Sequence, residues 1–135
     1  MKSILESDFY HDGRGPELIR VHYGGKGSMI EAVDFYNPDD AYEQKNLKHL
    51  VFSGSQAFCF TPEEEYSGGF PNIDWQKFGK AAVINLGKTD WYRTFTNLHS
   101  KNCDHYRLMF YDEILDVICE RIIFVQGGYS MKEKG

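Results

Sequence analysis

Apolar and polar residues alternate with a period of two along most of this chain, the pattern of half-buried strands. Residues 18–23 and 29–36 follow it. Gly24-Gly25-Lys26-Gly27-Ser28 between them makes a flexible turn, so the spacing predicts a first hairpin. Asn37-Pro38-Asp39-Asp40 then breaks the chain, because proline restricts the residue before it and donates no ladder bond. Residues 41–46 read as a helical turn or an open loop. Residues 47–52 and 57–60 are strand-like around Ser53-Gly54-Ser55-Gln56. Either a tight hairpin pairs Phe52 with Ala57 and Leu50 with Cys59, or one long strand carries a bulge at the glycine.

Thr61-Pro62 closes that strand. Glu63-Glu64-Glu65-Tyr66 suits a helix start, since acids are favoured in a first turn. Ser67-Gly68-Gly69-Phe70-Pro71-Asn72 reads as a loop, and residues 81–86 as a short apolar strand ended by Gly87. Thr89 offers an N-cap, and Trp91, Phe95 and Leu98 recur at helical spacing, which predicts an amphipathic helix over 89–98.

Residues 105–125 give the strongest hairpin pattern. With Asp112-Glu113 at the turn, Phe110 faces Leu115, Leu108 faces Val117 and Tyr106 faces Cys119. The opposite face carries His105, Arg107, Met109 and Tyr111 against Ile114, Asp116, Ile118 and Glu120. There Arg107 lies diagonally from Asp116 and Glu120, which reads as a surface ion-pair cluster. The sum is a single α+β domain over 1–135: a mainly antiparallel sheet of six to seven strands, one clear helix and one or two short ones. A half-open barrel is the alternative.

Composition fits that domain. The chain has 135 residues, 41% of them hydrophobic and 16% aromatic, too apolar for a disordered segment. The longest uncharged apolar run is too short for a membrane-spanning helix, and Met1-Lys2-Ser3-Ile4-Leu5-Glu6 lacks the apolar stretch of a signal peptide. Three cysteines, Cys59, Cys103 and Cys119, are no disulfide framework. Cys59 and Cys119 sit in apolar strand contexts that read as buried, and a reducing cytoplasm is expected.

Charge changes the picture more. The net charge is −5, which argues against direct nucleic-acid binding. Residues 31–74 hold nine acids and two lysines, a balance of −7, and the rest of the chain balances at +2. Such asymmetry marks either a partner face or simply well-solvated loops.

No catalytic set stands out. His99, Cys103, His105 and Cys119 cluster in sequence, but His105 and Cys119 fall on opposite strand faces, and no metal-ligand spacing occurs, so neither metal nor cofactor is expected. Gly24-Gly25-Lys26-Gly27-Ser28 departs from a phosphate loop because Gly27 separates Lys26 from Ser28 and a strand follows. Ser53-Gly54-Ser55 lacks the strand-to-helix setting of a nucleophile elbow. Tyr66, Phe70 and Trp75 lie in or beside the Gly/Pro-rich loop next to acid. They are either interface anchors or rings folded back over the core.

The run His105-Tyr106-Arg107-Leu108-Met109-Phe110-Tyr111-Asp112-Glu113-Ile114-Leu115-Asp116-Val117-Ile118-Cys119-Glu120 resembles the immunity proteins of bacterial toxin–immunity systems, those of contact-dependent growth inhibition above all. These proteins share no motif, so the resemblance carries no residue role over. It implies a non-enzymatic, cytoplasmic inhibitor, monomeric or dimeric, that neutralises a cognate toxin domain, commonly a basic nuclease. The charge pattern then nominates Asp39, Asp40, Glu63, Glu64, Glu65, Tyr66, Phe70, Asp74 and Trp75 as the partner-binding set. The competing expectation is a small-molecule-binding or enzymatic domain whose aromatic pocket gathers His49, His105 or Tyr106. A third is a structural protein that self-associates through an edge strand over 29–36.

Overall fold

The computed structural model describes residues 2–4, 16–24, 29–37, 40–62, 83–95 and 102–126. Nine strands run in the order β1 (Lys2–Ile4), β2 (Glu17–Gly24), β3 (Met29–Tyr36), β4 (Lys48–Ser53), β5 (Ala57–Pro62), β6 (Val83–Gly87), β7 (Asp104–Met109), β8 (Glu113–Cys119) and β9 (Arg121–Gln126). They form two antiparallel sheets, one ordered β1-β6-β7-β8-β5 and the other β2-β3-β4-β9. The sheets pack face to face. Val33, Phe35, Leu50 and Phe52 of the second sheet meet Val83, Leu108, Leu115 and Val117 of the first in one buried cluster.

This corrects the α+β expectation: among the described residues the fold is all-β. The predicted helix over 89–98 shrinks to α1 (Asp90–Arg93), a single turn. Trp91 and Phe95 still touch, with ring centroids 5.5 Å apart, but Phe95 is already exposed and Leu98 lies outside the described residues. Thr94 ends the helix, its hydroxyl donating back to the Trp91 carbonyl at 2.6 Å. Thr94 is a poor helix former whose hydroxyl competes for backbone bonds, so the costly first turn is not propagated into Phe95. A 3-10 turn over Gln44–Asn46 fills the region read as a turn or loop. The helix start predicted at Glu63 lies outside the described residues.

The half-open barrel is corrected too. Each sheet stays open, with β1 and β5 at the edges of one and β2 and β9 at those of the other, so β3, expected as an edge, is paired on both sides. The tight β4–β5 hairpin does not form. Instead β4 pairs β9 and β5 pairs β8, so a two-stranded ribbon passes from one sheet to the other. It bends at Gly54, whose φ of +66° favours glycine, and at Glu120, whose N–H donates to the Ser53 carbonyl at 2.8 Å. A β-carbon on Gly54 would sit 2.7 Å from the Glu120 side chain, so the two corners interlock.

The first hairpin forms as expected, with one refinement. Two register shifts interrupt the β2–β3 ladder, one across Ile19 and one across Glu31. Each leaves an extra residue on one strand, which is a β-bulge. The bulge at Glu31 switches the parity of β3, so Ile30, Val33 and Phe35 all reach the core while Asp34 faces outward.

In the β7–β8 hairpin the faces are as read from the sequence, but the pairing is displaced by two residues. Leu108 faces Leu115 and Arg107 faces Asp116 directly. Tyr111 and Asp112 make the turn, closed by the Phe110 N–H donating to the Glu113 carbonyl at 2.9 Å. Displacement by an even number preserves the face of every side chain.

Candidate functional site

The outward faces of both sheets hold buried polar groups, and each gathers around one aspartate. On the first sheet, β7 and β8 set Arg107 beside Asp116. Arg107 Nε donates to Asp116 Oδ1 at 2.8 Å and Nη2 to Oδ2 at 3.1 Å, a bidentate clasp. His105 Nε2 donates to Oδ1 at 2.6 Å, and its Nδ1 lies 2.8 Å from the Thr89 hydroxyl. Thr89 is also the N-cap of α1, accepting from Tyr92 N–H at 3.2 Å. Trp91 stands edge-on over the His105 ring at 4.8 Å. The surface ion pair expected here is therefore a buried one: His105, Arg107 and Asp116 are all buried.

On the second sheet Asp34 plays the central part. His49 Nδ1 donates to Oδ1 at 2.5 Å, and His22 Nε2 and Arg20 Nε donate to Oδ2 at 2.7 and 2.9 Å. The Ile19 and Glu31 bulges put Arg20 and His22 opposite Asp34 and Ala32 on this face. Burial alone would push both aspartate carboxyls up. The hydrogen bonds from His49, His22 and Arg20 to Asp34, and from His105 and Arg107 to Asp116, outweigh it and hold both below the ordinary value of 3.8.

His49 and His105 thus lie on outer faces of different sheets, and Tyr106 lies in the core between them. The three do not line one pocket. Among the described residues no group of three or more His, Cys, Asp or Glu is placed to hold a metal ion. Cys119 faces the core while His105 faces outward. Cys59 is exposed rather than buried, because Phe58 and Phe60 on either side of it take the core face of β5.

Of the nominated partner-binding set, Asp40 is the residue within the described part. It accepts from Lys48 Nζ at 2.5 Å and from the Asn37 N–H at 2.8 Å, so its charge is spent inside the fold. Asp39, Glu63, Glu64, Glu65, Tyr66, Phe70, Asp74 and Trp75 lie outside the described residues. Asp34, counted in the acidic segment, is fully buried and paired as above.

An accessible groove lies elsewhere. Edge strands β2 and β5 run beside each other without a ladder between them, and a groove of about 490 Å³ occupies the seam. Leu18, Val21 and Tyr23 line one side, and Phe60, Thr61 and Pro62 the other. Tyr23 meets Phe58 across the seam at 5.8 Å. Asp112 and Glu113 join the lining from the β7–β8 turn, which the Tyr111 N–H ties to the Pro16 carbonyl at 2.8 Å. Burial pushes the Glu113 carboxyl up, and the nearby charges of Asp112 and Glu17 push the same way. Among the described residues no basic side chain pairs with these three. Sequence reading missed the group. Its one local signal was an acidic pair at a turn that lacks glycine and asparagine.

No family model matches this sequence, and neither a curated protein nor a solved structure matches it. Among the described residues no helix is long and apolar enough to cross a membrane.

Proposed function

We propose that this protein is a non-enzymatic inhibitor of the immunity type, which binds a cognate bacterial toxin domain, a basic nuclease, and blocks it in the cytoplasm. One observation carries the reading. Three carboxylates, Glu17, Asp112 and Glu113, gather beside an accessible apolar groove with no cationic partner among the described residues. The histidines and aspartates of both sheets, His105 with Asp116 and His49 with Asp34, are instead buried and bonded to one another. Nucleases hold phosphates with basic surfaces, and an acidic apolar patch on the inhibitor complements such a surface. Complementary fields speed encounter and select the partner. The thiols of Cys59, Cys103 and Cys119, none of them in a disulfide, suit a reducing compartment.

The test is co-expression with the polypeptide encoded beside it, scored for survival, followed by co-purification of the pair. A one-to-one complex with a basic domain, and survival only when the inhibitor is present, is the expected result. Survival that does not depend on this protein, with no complex on gel filtration, overturns the reading.

A further inference from the structure

We infer that the β2–β5 seam is a docking groove for an extended peptide segment that presents an aliphatic or aromatic side chain flanked by lysine or arginine. The inference deepens the inhibitor reading and rests on it only for the identity of the protein that carries the segment.

The floor is apolar and continuous with the core: Leu18, Val21 and Phe60 are partly buried against the central cluster. An apolar side chain entering there removes water from both surfaces, which favours its burial. The rim is acidic at one end, where burial and repulsion from Asp112 and Glu17 push the Glu113 carboxyl up. A cation seated beside them relieves that repulsion, and a second carboxylate adds to it. A purely apolar small molecule fills the floor but offers the three carboxylates no counter-charge.

The exposed large hydrophobic side chains agree with this placement. Ile19, Tyr23 and Tyr111 lie on β2 or the adjoining turn, and each is more than 40% exposed. Exposed side chains of this size beside a charged rim are the composition of a protein-binding surface. A second copy of this chain is a poorer occupant. The bulge at Ile19 breaks the regular ladder of β2, and Pro62 removes an N–H from β5, so neither edge is a clean template for strand-to-strand pairing.

The test uses the full chain, nitrogen-15 labelled, titrated with capped hexapeptides of alternating lysine and leucine, glutamate and leucine, or lysine and serine. The Lys/Leu peptide is expected to shift the amides of residues 18–23 and 111–113. The other two are expected to bind at least tenfold more weakly. Raising salt to 0.5 M, or the triple change Glu17→Gln, Asp112→Asn and Glu113→Gln, is expected to weaken the Lys/Leu peptide at least fivefold. Tyr23→Ser, at an exposed position, is expected to weaken it without altering the fold. Shifts confined to other surfaces, or equal response to the lysine and glutamate peptides, overturn the inference. If the co-expressed toxin binds wild type and triple variant equally, the groove fails and the inhibitor reading stands. If the peptide binds as expected but no toxin is neutralised, the inhibitor reading fails and the groove stands.

Discussion

Asp116 and Asp34 occupy equivalent places on the two sheets, each on an outward face and each bonded to histidine and arginine, yet their positive charge comes from different places. Arg107 is itself buried, and its guanidinium clasps Asp116 with two hydrogen bonds. Arg20 has a side chain 58% exposed and offers Asp34 one bond from the solvent side, while two imidazoles supply the others. The first cluster is closed: every charge in it depends on another buried charge. The second is open at one end, and its arginine can return to water. Burying a charge is tolerable only when its partner stays with it. The first cluster therefore fixes the packing of β7, β8 and α1, whereas the second tolerates loss of its permanent cation.

The largest expected effect tests the closed cluster. Arg107→Ala leaves the Asp116 carboxylate buried with His105 alone, and losing one partner of a buried pair costs about 3–5 kcal/mol. Urea unfolding followed by tryptophan fluorescence measures it. A loss below about 1 kcal/mol, the size of an exposed pair, would mean that the cluster is not closed.

Acid titration is expected to act on both clusters. Both aspartates are held below their ordinary value of 3.8 in the folded state. A carboxyl with a depressed folded pKa contributes stability that is fully present above the unfolded value and is lost as pH falls through the folded one. Stability from these two groups is thus flat near neutrality and disappears below about pH 4. Asp34→Asn and Asp116→Asn should each flatten part of that acid limb in unfolding curves taken from pH 6 to pH 2. An acid limb unchanged in both variants would assign it to other carboxylates.

The difference between the clusters was only partly legible in the sequence. Alternation along 105–119 placed Arg107, His105 and Asp116 on one face, because a hairpin brings near neighbours together and parity survives an even displacement of register. The Asp34 cluster was not legible. It joins three strands, and strict alternation puts Ile30 and Asp34 on one face, when the bulge at Glu31 in fact sends Ile30 inward and Asp34 outward. The sheet change at Gly54 was equally silent, since Phe52 and Phe58 show the same local pattern whether the chain stays in one sheet or crosses to the other. The groove follows from that crossing. It is the seam left between two edges that no local pattern could have set beside each other.

The smallest expected effect sharpens the comparison most. Arg20→Ala removes a half-exposed cation from Asp34 while His22 and His49 keep their bonds, so the cost at neutral pH is about 1 kcal/mol or less. The same change removes one of the bonds that hold the Asp34 carboxyl down. Its folded pKa then rises toward 3.8, the gap between folded and unfolded values narrows, and the Asp34 share of the acid limb becomes smaller, starting at the same unfolded value and ending at a higher pH than in the wild type. Chemical unfolding at pH 7 and acid unfolding at low salt, on the same preparation, give the two numbers. A neutral-pH loss as large as that of Arg107→Ala would show that solvent does not rescue the open cluster, and the contrast between the two sheets would collapse.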